Sequence, residues 1–439
     1  MRFSFLHFAD CHLGYRQYGH KERFNDFARA FLDVIQRAME AQVDFVVLAG
    51  DLFQKRAIDA LTLNQAVHGL RLLREAGIPC LAVEGNHELA YYHDTIGWME
   101  FLAQQDLLIL LHADLRQDGE GRLTPYANKR GAYFDPLPGV RVYGLRYMGA
   151  STAKALELYV ERLAADPPQE QGIEYTIFVA HAGMEGVLPG HMGGLSHSQL
   201  APLRPFVDYL ALGHIHKPYE FDGWIYNPGS PETCSLDEVN WPERGYYLVQ
   251  VDTERPREPE EPRHQATLHT NRRRPFLRLH VKVDLADTPQ ALYAHCQEVI
   301  ARKARDHASI IPKQPVVSLT LTGTLAFERS HLDTARLQEL VEEHFSPLLV
   351  LMKNSTVSRD VHVDPGDRLN RRDLERKVLT SLAEQHPRLQ GQGPAWAELA
   401  IHLKQLAITG VSPEAILDEF QAWLAQHRER TAQQEETSS

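Results

Sequence analysis

Cysteine is scarce in this chain: 439 residues hold four, Cys11, Cys80, Cys234 and Cys296, and no two form a C-x-x-C pair. That spacing argues against a disulfide framework or a structural thiolate zinc site, and it suits a reducing cytoplasm. Long apolar runs are missing as well. None reaches the roughly 18 residues needed to cross a bilayer, so no membrane association is expected. Met1–Ala9 has a single basic residue and does not read as a secretory leader. No internal repeat is visible. An excess of positive charge is also absent: the net charge is −12, which by itself weighs against nucleic-acid binding. Residues 1–250 hold 21 Lys and Arg against 31 Asp and Glu, whereas the remainder holds 25 against 27. Carboxylates that bind divalent cations would neutralise part of that deficit.

What the chain does have is alternation. Its length calls for two or three domains. The apolar runs Phe3–Ala9, Phe45–Ala49, Cys80–Val83, Val140–Leu145, Thr176–Ala180 and Tyr209–Leu212 are separated by amphipathic stretches. Phe24, Phe27, Phe31, Ile35 and Ala38 recur at helical spacing, and Leu61–Leu73 repeats that pattern before Gly77-Ile78-Pro79 stops it. Residues 1–252 therefore read as an α/β domain. Residues 253–275, with Pro256, Pro259, Pro262 and Pro275 among many charges, read as a linker. A β-α-β-α-β pattern follows over 276–355, as a smaller second domain. Residues 356–430 are helical in pattern, and the polar stretch 431–439 is expected to be disordered.

Five of the apolar runs end in residues able to bind metal. They lead into Asp10-Cys11-His12, Gly50-Asp51, Gly85-Asn86-His87-Glu88, His181-Ala182-Gly183 and Gly213-His214-Ile215-His216. Ligands gather beyond the carboxyl ends of strands in open α/β sheets. Taken singly, each piece has an ordinary reading, as a capping residue, a turn or an exposed loop histidine. Together they bring oxygen and imidazole donors to strand ends, the set that suits hard or borderline divalent cations. One carboxylate can bridge two such ions across a phosphoryl group.

The order Asp-x-His, Gly-Asp, Gly-Asn-His-Glu, His, Gly-His-x-His resembles the motif set of the calcineurin-like metallophosphoesterases. The resemblance implies a two-sheet core, an α/β/β/α sandwich, carrying a smaller β-α capping domain and C-terminal helices. It places Asp10, His12, Asp51 and His216 on one metal and Asp51, Asn86, His181 and His214 on the other. His87 matches the family's catalytic histidine, whose work is to protonate the leaving alkoxide or to stabilise charge on the phosphate. Ala49-Gly50-Asp51-Leu52-Phe53 and Asn227-Pro228-Gly229-Ser230-Pro231-Glu232 are similar to the SbcD-type DNA-repair nucleases. That likeness implies two Mn²⁺ ions per chain, DNA as substrate, an SbcC-like SMC-type ATPase as partner, and a homodimer. One position departs from the pattern: many relatives have His three residues after the bridging Asp, and here Gln54 stands there. Glu88 replaces a commoner Asp.

Outside the motifs, Arg272, Arg273 and Arg274 open a stretch to Lys313 with nine basic and four acidic residues. They are candidates for DNA phosphates, or equally for a solvated linker face. His191 and His197 are expected to line the cleft without binding metal, and Cys11 to point into the core. Ala60–Leu73 and Tyr91–Ala103 are candidate dimer helices, with core packing the stronger reading. Leu374–Leu382 and Ile416–Leu424 are candidates for the ATPase coiled coil. Two other functions compete: a phosphoesterase for small diesters, nucleotides or phosphoproteins, which leaves about 185 residues after the core without a role, and a non-catalytic scaffold, which the complete ligand set disfavours.

Overall fold

The computed structural model describes residues 1–89, 95–113, 115, 123–188, 194–256, 261–284, 286–358, 371–384, 386, 389 and 391–437. The chain forms two compact units, Met1–Leu277 with Lys313–Val316, and Arg278–Pro312 with Val317–Ser439.

The first unit is built on two six-stranded sheets. The first four strands are β1 (Arg2–Phe8), β2 (Phe45–Leu48), β3 (Cys80–Ala82) and β4 (Ile109–Leu110). Then come β5 (Tyr133–Leu137), β6 (Val140–Leu145), β7 (Tyr175–Ala180) and β8 (Tyr209–Leu212). The last four are β9 (Tyr219–Phe221), β10 (Ile225–Asn227), β11 (Gly245–Asp252) and β12 (His264–Thr270). One sheet has the order β12-β11-β1-β2-β3-β4 and the other β5-β6-β7-β8-β10-β9. Strands β1 to β4 pair in parallel, as do β6, β7, β8 and β10. Parallel pairing brings the carboxyl ends of neighbouring strands to one edge of each sheet.

Helices α1 (Lys21–Glu40) and α2 (Ala60–Glu75) cover the outer face of the first sheet. His20 and Asp59 cap them, accepting from the backbone N–H of Glu22 and Thr62. The apolar stripe of α1, with Phe31, Val34 and Ile35 at 0% exposure, packs in one cluster with Ala66, Leu70 and Leu73 of α2. Gly69 permits that approach, because a Cβ there would lie 2.4 Å from the Phe31 ring. The short helix α3 (Trp98–Gln104) completes this layer. On the outer face of the second sheet lie α4 (Thr152–Ala165) and α5 (His197–Leu200). Between the sheets Phe3, Phe5, Phe45 and Val47 meet Val142, Tyr175, Ile177 and Tyr209 in a third cluster. The layers are therefore α/β/β/α, as the resemblance implied.

The stretch 253–275 contributes β12, which pairs antiparallel with β11 from Gly245↔Thr270 to Val251↔His264. Its alternation is polar because an edge strand buries little. A three-stranded sheet, most of whose residues belong to the second unit, is formed by β13 (Phe276–Lys282), β14 (Val316–Leu325) and β15 (Leu349–Ser358), accompanied by α6 (Pro289–Asp306) and α7 (Thr334–Phe345). Thr288 and Asp333 cap the two helices. Three further helices follow: α8 (Arg371–Glu384), α9 (Gly393–Ile408) and α10 (Pro413–Thr437). Trp396 and Trp423 join α9 to α10, with ring centroids 5.0 Å apart.

Candidate metal centre

The motif residues follow directly on five strands: β1, β2 and β3 of one sheet, β7 and β8 of the other. At each exit the backbone turns hard. Asp10, His12, Asp51 and His214 have φ of 56°, 49°, 52° and 83°, a region non-glycine residues enter at a cost of roughly 1–3 kcal/mol and mainly at functional sites. Backbone bonds hold the turns together, Asp10 N–H to Gly50 O and His12 N–H to Asp51 O, both 3.1 Å. The two sheets are joined at the same place. The His214 N–H lies 3.1 and 3.0 Å from the two carboxylate oxygens of Asp10. Glycine is required at 85, where a Cβ would fall 2.0 Å from Asp51 Oδ1.

Among the described residues, two ligand groups share Asp51: one contains His12 and His87, the other His181 and His214, with ligand atoms within 4.8 Å of one another in each. His181 donates Nδ1–H to the Ala49 carbonyl at 2.7 Å, which turns its Nε2 toward Asp51 at 3.3 Å and Asn86 Oδ1 at 3.0 Å. The same Asn86 oxygen is 3.0 Å from His214 Nδ1. Across the centre, His216 donates Nδ1–H to Glu238 at 2.8 Å, and its Nε2 faces His12 Nε2 at 3.0 Å. His12 Nδ1 is buried without a partner. Inward nitrogen and oxygen lone pairs, with the outer ring nitrogens tied to a carbonyl and a carboxylate, are what divalent cations require. The residues fit two ions, with Asp51 between them.

Charge supports the same conclusion. Burial raises the Asp10 carboxyl to about 6, although His181 and His216 oppose it. Burial would push Asp51 the same way, but the imidazoles of His181, His12 and His87 hold it below its ordinary value. Burial alone would lower His181; Asp51 and Asp10 instead raise it to about 9. His214 is lowered to about 4, chiefly by burial with His181 adding to it, and His12 is lowered well below its ordinary range. Those two rings therefore present neutral lone pairs. A divalent ion held there would take the place of the proton that His181 otherwise keeps.

His87 stands at the rim, its side chain 33% exposed and its Nε2 3.9 Å from Asp51 Oδ2. Its Nδ1 donates to the main-chain carbonyl of Gln54. Whatever side chain residue 54 carries, this bond comes from the backbone. Glu88 ties three loops together: its carboxylate accepts from the N–H groups of Asp51 at 3.2 Å, Phe53 at 2.9 Å and Gly85 at 2.9 Å. Burial, reinforced by the Asp51 charge, raises its pKa to about 8.

Several supporting residues were not singled out from the sequence. Glu238 is 1% exposed and also accepts from Ser230 Oγ, the Cys234 N–H and Arg244. The fully buried Arg23 bonds Asp26 at 2.6 Å and Glu232 at 2.9 Å, anchoring the Asn227–Glu232 motif on α1. Asn227 Nδ2 holds the carbonyls of Ile215 and Lys217, and so shapes the His214–His216 loop. No hydrophobic period or strand-end position marks Arg23 and Glu238; only a buried charge demanding a partner does.

Of the candidate DNA contacts, Arg273 bonds the carbonyls of Arg244 and Pro242, and Arg274 bonds Asp26 at 2.7 and 3.0 Å with the carbonyls of Lys313 and Gln314. Their guanidinium groups brace the chain, while Arg272 is exposed. His197 pairs with Asp222 at 2.8 Å on the surface and stands outside the ligand groups. His191 and Tyr91–Asp94 lie outside the described residues. Cys11 is 2% exposed in the core beneath α1, as strand alternation predicts. No helix among the described residues is long and apolar enough to cross a membrane.

Residues 3–218 match the family described as calcineurin-like phosphoesterase. The chain is 32% identical over 256 residues to the DNA double-strand break repair protein Mre11 of Archaeoglobus fulgidus, covering 54% of this chain and 52% of the relative. The protein of the same name from Haloferax volcanii is 32% identical over 56% of this chain and 48% of its own length. That from Aeropyrum pernix is 28% identical over 56% of this chain and 63% of its own. The chain thus spans about half, and at most under two thirds, of these relatives.

Proposed function

Residues 3–218 form a calcineurin-like phosphoesterase domain, and from that premise we propose that the chain is a two-metal nuclease that hydrolyses phosphodiester bonds at DNA ends. One observation carries the chemistry: two ligand groups meet on the shared carboxylate of Asp51. Asp10, His12 and His216 would complete one metal position, and Asn86, His181 and His214 the other. Divalent ions held there supply Lewis-acid polarisation of the phosphate and a water acidic enough to serve as nucleophile near neutral pH. Mn²⁺ is the ion proposed, since the donors are oxygen and imidazole.

The chain's own residues do the rest. Asp10 accepts the His214 N–H and Asp51 faces His181, so the two carboxylates tie the strand-end loops of both sheets to one another. Gln54 O orients the His87 ring, so that a proton on Nε2 points toward the centre. From that rim position His87 passes the proton to the leaving alkoxide, a step worth typically 10²–10⁴-fold.

DNA as substrate is supported by the shared name of the relatives, DNA double-strand break repair protein. Arg272 offers an exposed cation for its backbone. An SMC-type ATPase is the proposed partner, with Leu374, Leu382, Ile408 and Leu417 exposed on α8 to α10 as its docking residues. Two chains pair through α2, where Leu61 is 54% exposed. The test is incubation of the full chain with Mn²⁺, end-labelled duplex DNA and, separately, a chromogenic diester, with Asp51→Asn as control. Shortened DNA with the wild type alone sustains the proposal. Diester cleavage with intact DNA, ATPase partner present, would replace DNA by a small substrate.

A further inference from the structure

Three of the four cysteines are buried, Cys11 and Cys80 in the apolar layer under α1 and Cys296 in the second unit. Cys234 differs. Ligand atoms from Cys234, His12 and His216 all lie within 4.8 Å of one another, a third potential metal group beside the two that share Asp51. This is a built arrangement. Glu238 accepts the Cys234 N–H on Oε2 at 3.0 Å and the His216 ring on Oε1 at 2.8 Å, so one carboxylate positions both residues. Gln17 Nε2 holds the Cys234 carbonyl at 2.8 Å from the other side. The thiol lies 3.7 Å from the Glu232 carbonyl, a weak acceptor, and is also in hydrogen-bond contact with the His216 ring. The third member, His12, is 2% exposed and keeps an unpartnered ring nitrogen.

Two imidazoles and a thiolate are a different chemical offer from the oxygen-rich set around Asp51. Thiolate selects softer ions, and zinc outcompetes manganese even on nitrogen and oxygen donors. We propose that Cys234 turns the His12–His216 end of the centre into a trap for divalent ions of the zinc and cadmium class, which displace the harder catalytic ion. Binding releases the thiol proton to water. The centre is then inhibited by low zinc and restored by excess manganese. The inference rests on the two-metal reading of the Asp51 cluster, but its test does not depend on catalysis.

Full-length protein is stripped with a chelator and titrated with cadmium alone. A thiolate-to-cadmium charge-transfer band in the ultraviolet is expected for the wild type and its loss in Cys234→Ser. The serine variant should bind cadmium at least as much more weakly as the roughly 10–100-fold that losing an outer-shell partner costs. Zinc, and not manganese, should also slow alkylation of Cys234 in the unmutated protein at least tenfold, read by peptide mass spectrometry. Cadmium bound without the band, a band that survives in Cys234→Ser, or equal alkylation under both metals overturns the proposal. A band in a protein that cleaves no phosphodiester would leave the thiolate site standing and overturn the catalytic reading instead.

Discussion

His216 Nδ1 lies 2.8 Å from Glu238 Oε1, and the carboxylate behind that bond is 1% exposed. Glu238 keeps its charge because His216 and Arg244 outweigh its burial, which by itself would raise its pKa. The bond selects the tautomer in which His216 Nε2 faces the centre, the arrangement by which metal-binding histidines are generally fixed.

Glu238→Gln is therefore expected to weaken divalent-ion binding roughly 10–100-fold without replacing a candidate ligand. Calorimetric titration with Mn²⁺ measures it. Wild-type affinity in the variant would remove Glu238 from the working site.

His87 is expected to separate binding from turnover. His87→Ala should bind both ions as the wild type does, yet lose about 10²–10⁴-fold in kcat on a diester with a poor leaving group. The loss should shrink for a leaving group that needs no proton. Equal losses on both substrates would contradict the proton-donor role.

Gln54 stands where many relatives carry histidine, but its contact with His87 is made by the main chain. Gln54→Ala should change the activation barrier by no more than about 0.5 kcal/mol, as replacements outside a specific interaction do. A hundredfold fall in kcat would assign the amide side chain a direct part in the reaction.

Gly85→Ala introduces a methyl 2.0 Å from Asp51 Oδ1 and 2.5 Å from its backbone nitrogen. Overpacking of this kind costs about 1–3 kcal/mol. The metal-dependent rise in Tm should vanish together with the lost stability, because the shared carboxylate moves. A variant that retains the wild-type Mn²⁺ shift in Tm would contradict the close packing of Gly85 on Asp51.

A pH effect is expected far from the centre. Burial lowers the His7 pKa to about 3, despite the opposing bond to the Leu212 carbonyl, and lowers His264 to about 4. Both are neutral in the fold and take up a proton on unfolding, so their stabilisation is complete above about pH 6.5 and is lost as pH falls toward 4 and then 3. For His7 at 0% exposure the shift corresponds to a few kcal/mol, on the order of 5. Urea midpoints should drop steadily from pH 7 to pH 4. His7→Gln, which can keep the bond to Leu212, should flatten that slope, and an unchanged slope would exclude His7 as its source.

The candidate ligands stand out in the sequence because their information is local. An apolar run that ends in Asp-x-His, Gly-Asp or His-x-His announces a strand and what stands at its carboxyl end, and β1, β2, β3, β7 and β8 end there. The amphipathic period of α1 was as plain, since one helical stripe buries Phe24, Phe27 and Phe31. Other features had no such local mark. Strand β12 lies in a proline- and charge-rich stretch, and only its ladder with β11 makes it a strand. Sequence alone determined which side chains were available to bind metal and that strands would deliver them to one place. Tertiary structure decided which ring nitrogens face inward, that Arg23 reaches Glu232 across 209 positions, and that Cys234 comes to rest beside His12 and His216. Those outcomes depend on buried charges and donors finding partners far along the chain, a condition that exists only once the two sheets have packed.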